Sequence, residues 1–257
     1  MVIILINIGT AILAPVIAPY AETAIVGDVW EAGSDIFWIG TDHLGRDLLT
    51  RMVYGARNTL AVAFITTLLS FMVGTTLGFL AAAKGGWIDQ ILSRIIDIIM
   101  AFPTLIFALM ILSVLGSSTP ILIMTIAILD STRVYRLSRA VAMDIEVMEF
   151  VEVAKLRGEG SWWVMRHEIL PNAMPPLVAE FGLRFCFVFL FIASLSFLGL
   201  GLQPPLADWG GMVRENAGAI TFGIYIPLIP AAAIAFLTVG VNLIVDWFLH
   251  LSSGLHE

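Results

Sequence analysis

Four ionisable residues stand in or beside long apolar runs of this 257-residue chain: Asp97, Asp130, Arg184 and Asp246. Charges in such a setting are costly, and they mark ion or proton relays, intramembrane catalytic acids, or partners on a neighbouring helix. The strings that accompany hydrolytic chemistry are missing, with no G-x-G-D around the acids and no G-x-S-G serine site. Nor does G-x-x-x-x-G-K-[ST] occur, so the chain cannot by itself hold ATP in a P-loop. A single cysteine, Cys186, and four histidines exclude a disulfide framework and a cysteine-based metal site. Cys186 lies in an apolar run and reads as plain packing. No catalytic, cofactor-binding or metal-binding residue is assigned. Scattered acids are more simply polar residues facing other helices, and Asp97 reads as a helix-end residue or a partner of Arg94.

One pair of these charges has matching depth. Asp130 lies seven residues before Leu137, where the fourth apolar run ends, and Arg184 lies seven after Leu177, where the fifth begins. At 1.5 Å per residue both sit about 10 Å inside the same boundary. Opposite charges at one depth relieve each other. Three arrangements are open: an Asp130–Arg184 pair between helices, local pairs of Asp130 with Arg133 and Glu180 with Arg184, or an Asp130 that touches solute.

Between those two runs lies the longest polar interval, residues 144–176. Asp144 is placed to cap a helix with Glu146 and Glu149 near its positive end and an apolar side of Ile145, Met148, Phe150 and Val151. Gly158 stops it. Gly160 and Ser161 start a second short helix, Trp162 to Ile169, which Pro171 ends. The outcome is a helical hairpin between two membrane spans, offering Glu152, the small residues Ala154 and Gly158, and basic flanks at Lys155, Arg157 and Arg166.

Glu152-Val153-Ala154, Gly158 and Ile169-Leu170-Pro171 resemble the E-A-A, G, I-x-L-P loop of binding-protein-dependent ABC importer permeases, with Val153 and Glu168 as departures from its pattern. The blocks GTDHLGRDLLTRMVYGARNTL, RIIDIIMAFPTL and SLSFLGLGLQPP followed by DWGGM are similar to the dipeptide, oligopeptide and nickel-type members of that group. The resemblance runs from Gly40 to Asp246. It implies a C-type permease of a heterodimeric pair, working with a second homologous permease, two ABC ATPase subunits that carry the ATP and dock on the Glu152–Pro171 loop, and an extracytoplasmic solute-binding protein.

Composition agrees with a membrane setting. Charged residues are 13% of the chain and the mean hydropathy is +0.96, against about 25% charged in soluble domains. Six transmembrane helices are expected, at Val2–Pro19, Leu60–Ala83, Ile95–Leu115, Pro120–Leu137, Leu177–Leu202 and Pro227–Leu249, in an all-α integral membrane protein of the type I ABC importer permease fold. Val2–Pro19 has no basic start and no convincing cleavage site, so it reads as a retained span. Related permeases carry a basic segment ahead of it, and a short or mis-assigned start is expected here.

The domain reading is 1–57 for the first span plus an outer segment, 58–249 for the five-span transport domain, and 250–257 for a cytoplasmic tail. In the outer segment an amphipathic helix is expected from Asp42, with Leu44, Leu48, Leu49, Met52 and Val53 on one face and Arg46, Asp47, Thr50, Arg51 and Tyr54 on the other. Asp208 is placed to cap a second short helix anchored in the interface by Trp209. Gly74 and Gly78 have small-xxx-small spacing, and Pro103 should kink span three.

Six spans put both termini on one side with Lys84, Arg94, Arg133, Arg136, Arg139, Lys155, Arg157 and Arg166. The other side receives Arg46, Arg51, Arg57 and Arg214. Eight against four places the 144–176 loop and both termini in the cytoplasm of a bacterial-type inner membrane. The expected function is a permease that moves peptides or a similar small solute. An ion-coupled transporter predicts internal repeats, which are absent from the sequence, and an intramembrane enzyme lacks its motifs.

Overall fold

The computed structural model describes residues 2–252, with side chains described for 6, 7 and 9–248. The described residues form ten α-helices, one π-turn and one 3-10 turn, with no strands beyond two isolated β-bridges. Six elements correspond to the expected spans. They are α1 (Val2–Ile17), α2 (Leu48–Lys84), the broken pair α3 (Gly86–Met100) and α4 (Thr104–Leu115), α5 (Thr119–Glu146), the helical body Ser161–Phe197, and α10 (Leu228–Ser252). α2, Ser161–Phe197 and α10 are each long and apolar enough to cross alone, and α3 with α4 makes a fourth candidate. α1 has 16 residues, about 24 Å of rise. α5 has the length, with 28 residues, but Asp130, Arg133, Arg136, Arg139, Asp144 and Glu146 interrupt its hydropathy.

Several boundaries differ from the sequence expectation, each for a local reason. No amphipathic helix begins at Asp42. Gly45 takes φ +77°, which breaks helix there, and the carboxylate of Asp42 accepts from the Leu44 and Arg46 amides at 2.9 and 3.0 Å to close a turn. Asp47 is the N-cap instead, accepting from the Thr50 amide at 2.7 Å, and one 37-residue helix then runs through span two. Pro103 does more than kink span three. The axis turns by 86° between α3 and α4, because Pro103 lacks an N–H and its predecessor avoids helical dihedrals. Asp144 caps nothing: α5 continues through it to Glu146.

Pro171 does not end a helix either. It occupies the N-terminal turn of α8 (Leu170–Phe197), and the π-turn Met165–Ile169 joins α8 to α7 (Ser161–Val164). Proline suits a first turn, where its missing donor is not needed, and a widened turn before it absorbs the ring. Span five therefore begins inside the loop, well before Leu177.

α2 and α5 form the centre of the bundle. A Cβ on Gly74 would stand 2.6 Å from Val134 Cβ and 2.7 Å from the Ser131 carbonyl, and one on Gly78 would stand 2.8 Å from the Tyr135 carbonyl. The small-xxx-small spacing thus seats α2 directly on the α5 backbone. Around this contact the main apolar core joins Leu112, Leu122, Ile126, Phe189, Ile192, Leu195 and Leu237. A second core, Phe79, Ala142, Val151, Ala154, Val164, Ile169, Ala173 and Leu177, fastens the 144–176 loop to the bundle.

Candidate functional site

The loop after α5 packs against the bundle as a knob. Val147 and Met148 leave the helical path, and α6 (Glu149–Leu156) starts afresh. Gly158 ends α6 with φ +87°, its amide bonding the Lys155 carbonyl at 2.9 Å while the Glu159 amide bonds the Ala154 carbonyl at 3.2 Å. These two bonds make a Schellman stop, which needs a left-handed residue at that place. Lys155 braces the knob by a 3.0 Å ion pair to Glu146, and His167 stacks on Trp163 with centroids 4.6 Å apart. Arg157 lies 3.9 Å from Glu168.

The loop residues singled out in the sequence divide between two faces. Ala154 and Ile169 are buried in the second core, so Ala154 is not on the outer face with Glu152. Glu152, Val153, Gly158 and Pro171 are exposed, and Leu170 is partly covered. The knob also shows Val147 at 82% exposure, Leu156 at 80% and Trp162 at 72%, with Met148 and Phe150 about half exposed. Sequence reasoning did not single out Val147, Leu156 or Trp162. The available signal was their phase, since Leu156 lies four residues after Glu152 on the side of α6 opposite Val151 and Ala154. A group of exposed apolar side chains on such an element makes it a candidate contact surface.

The four charges singled out along the apolar runs meet different fates. Asp130 and Arg184 come together: Arg184 Nη1 lies 3.6 Å from Asp130 Oδ1, and Arg184 Nε lies 2.8 Å from Glu180. The interhelical pair and one of the local pairs therefore coexist. Ser70 of α2 donates its hydroxyl to Asp130 Oδ2 at 2.8 Å, tying a third helix to the group. Asp97 is in the last turn of α3, and its partner is Arg136 at 2.5 Å, not Arg94. Asp246 is exposed on α10 and is not a buried helix-facing acid, while Asp97, also exposed, sits at a helix end as expected. Asp97 and Asp130 are each held by an arginine from another helix, as structural acids are.

At the opposite end of the bundle the segments around Asp42 and Asp208 lock together. α9 (Trp209–Asn216) is capped by Asp208, which accepts from the Gly211 amide at 2.7 Å and from Thr59 at 3.1 Å. Trp209 is not an interfacial anchor. It is buried, donating from Nε1 to the Met52 carbonyl at 3.0 Å and meeting Phe189 edge-on. Glu215 lies 3.1 Å from Arg51 and 3.3 Å from Arg46, while Asp42 lies 2.7 Å from Arg46 and 3.5 Å from Arg51. Asn216 accepts from the His43 amide at 2.9 Å and from Trp30 at 3.3 Å.

Asp42, His43 and Glu215 could converge on a cation, but the two guanidiniums already supply that positive charge. Burial pushes the His43 imidazole below its ordinary value, against the opposing pull of Asp42 and Glu215. Burial likewise raises the Asp208 carboxyl, partly offset by the bonds it accepts. The blocks around Asp42 and Asp208 looked like separate signatures in the sequence; the structure makes them one buried polar joint.

Comparisons with known proteins fit this arrangement. The model of the family described as "Binding-protein-dependent transport system inner membrane component" matches residues 74–253. The dipeptide transport system permease protein DppC of Alkalihalophilus pseudofirmus is 37% identical over 96% of this chain and 81% of its own length. The glutathione transport system permease protein GsiD of Pectobacterium atrosepticum is 34% identical over 95% of this chain and 81% of its own. Among solved structures, an inward-facing methionine ABC transporter, MetNI, is similar with a TM-score of 0.64 at 19% identity, over 79% of this chain and 95% of that one. An amino acid ABC transporter gives 0.59 at 21% identity, over 78% and 93%. A type I importer permease fold, a match along most of the chain and a braced loop between spans four and five converge: the chain belongs to the binding-protein-dependent transport system inner membrane components.

Proposed function

We propose that this chain is one permease of a peptide importer. It pairs with a second homologous permease, receives solute from an extracytoplasmic binding protein at the Asp42–Glu215 end, and is driven by two ATPase subunits at the α6 end. ATP is held and hydrolysed on those subunits. Peptide as the solute is supported by the dipeptide and glutathione permeases that resemble the chain over more than nine-tenths of its length. The cytoplasmic assignment of the loop and both termini is supported by the charge bias of eight against four along the chain.

The observation that carries the reading is the knob: an acidic and apolar face of Glu152, Val153 and Leu156 held rigid by the Gly158 stop and the second core. Such a face passes force on through the second core, where Val151 and Ala154 of α6 pack with Ala142 of α5, Val164 of α7 and Ile169 of the π-turn. The test is capture of the ATPase subunits by purified permease pairs, with peptide uptake measured on the same membranes. Leu156→Asp and Glu152→Lys should each reduce ATPase capture and uptake at least tenfold while the permeases still insert and pair. Full capture by both variants would remove the knob from this role.

A further inference from the structure

Arg133 stands apart from the paired charges. It lies on α5 one turn from Asp130, yet its guanidinium sits 4.3 Å from the centroid of Phe187, and no carboxylate among the described residues lies within 4.0 Å of it. Arg184 lies over the same ring at 5.3 Å. Arg184 is bracketed by Asp130 and Glu180 and largely enclosed, whereas the Arg133 nitrogens are not enclosed. Two acids and two arginines make this group neutral as a whole, with its positive side at the surface.

The direction of Arg133 decides its role. Helical side chains lean towards the N-terminus of their helix. For α5 that direction is away from the α6 loop, and Phe187 on the antiparallel α8 leans to meet it. A lipid-facing arginine near one boundary snorkels towards that boundary's water. Arg133 instead reaches inward to Phe187, from a backbone position about 6 Å along the axis inside Leu137, where the apolar run ends. An accessible guanidinium held at that depth belongs on a hydrated or protein-covered face. Phe187 holds it by a cation–π contact, which fixes the ring of donors without using them.

We infer that Arg133, stacked on Phe187 beside the Asp130–Arg184 pair, is an anion-binding point on the wall of the solute path, taking the carboxylate of a peptide in transit. The inference rests on the importer reading above. A single guanidinium on a neutral group suits transit, because it attracts a carboxylate without trapping it.

The test uses the complete importer in proteoliposomes, in a Cys186→Ala background that leaves no other thiol on this chain. Arg133→Cys should react with a charged, water-soluble methanethiosulfonate in the nucleotide-free state. Reaction with a lipid-soluble maleimide alone, or a cross-link to the second permease, overturns the placement. In parallel, uptake per ATP hydrolysed is compared for one peptide as its free acid and as its C-terminal amide. Arg133→Gln should lower carriage of the free acid about tenfold and leave the amide unchanged, with Arg133→Lys restoring most of the acid. An equal loss for acid and amide makes Arg133 structural and overturns the inference. Failure of the wild-type complex to take up any peptide sinks the peptide reading instead, and the accessibility result still decides where Arg133 faces.

Discussion

Arg184 serves two carboxylates and Asp130 serves two donors, so the two residues are not equivalent. Removing Asp130 leaves Arg184 with Glu180 at 2.8 Å, while removing Arg184 leaves Asp130 buried with only the Ser70 hydroxyl in contact. Breaking a buried pair from one side costs roughly 3–5 kcal/mol when the remaining charge has no partner. Arg184→Gln should therefore lower the yield of folded permease and its unfolding midpoint more than Asp130→Asn does. Fluorescence-detected size exclusion after heating would read this, and the exchange Asp130→Arg with Arg184→Asp should recover part of the loss. Equal damage from the two single variants would remove the asymmetry, and an exchange no better than the worse single variant would argue that the pair does not bear on folding.

His43 supplies a second residue-scale test. Its pKa is lowered in the folded state, so the unfolded chain binds the proton first as pH falls. Its contribution to stability is intact above the ordinary histidine value of about 6.5 and is lost as pH drops below it. The purified wild type should lose thermal stability on going from pH 7.5 to 5.5, and His43→Gln should show a shallower loss over the same window.

At the scale of elements, the α6 stop and the α2–α5 contact depend on glycine for opposite reasons. Nothing lies within 4 Å of a Cβ placed on Gly158, so only its φ of +87° resists substitution. A β-branched residue there costs about 1–2 kcal/mol of backbone strain, and asparagine costs less. Gly158→Val should loosen α6 and reduce uptake, while Gly158→Asn should keep most of it. Gly78 is the reverse case, helical but walled by the α5 backbone. Gly78→Leu should force the two central helices apart and abolish folded permease, as seen by loss of the monodisperse peak. A folded, active Gly78→Leu would show that the α2–α5 contact is looser than described.

For the whole molecule, orientation is tested by labelling. Asp47 and Asp208 are buried in the Asp42–Asp208 joint and are poor positions for it. Trp38 and Phe222 are exposed at that end, at 76% and 72%, and Leu156 is exposed at the other. With Cys186 replaced, cysteine at Trp38 or Phe222 should react with an impermeant maleimide in right-side-out vesicles, and cysteine at Leu156 only in inside-out vesicles. The opposite pattern would invert the molecule and move the ATPase contact to the other end.

Long-range apolarity, the glycine at 158 and the spacing of Gly74 and Gly78 are local properties of the chain, and the all-α membrane architecture, the loop's stop and the close helix packing follow from them without tertiary information. The matched depth of Asp130 and Arg184 was likewise countable along the chain. What counting cannot supply is azimuth: which side of each helix meets which neighbour. Only packing decided that Ala154 turns inward while Leu156 turns out, that Asp97 is held by Arg136, and that Arg133 leaves Asp130 to Arg184 and stacks on Phe187. Helix boundaries were open for the same reason. Asp42, Asp144 and Pro171 carry the right chemistry for helix ends, but Gly45, the continuation of α5 and a π-turn gave the backbone lower-energy alternatives that depend on contacts far away in sequence.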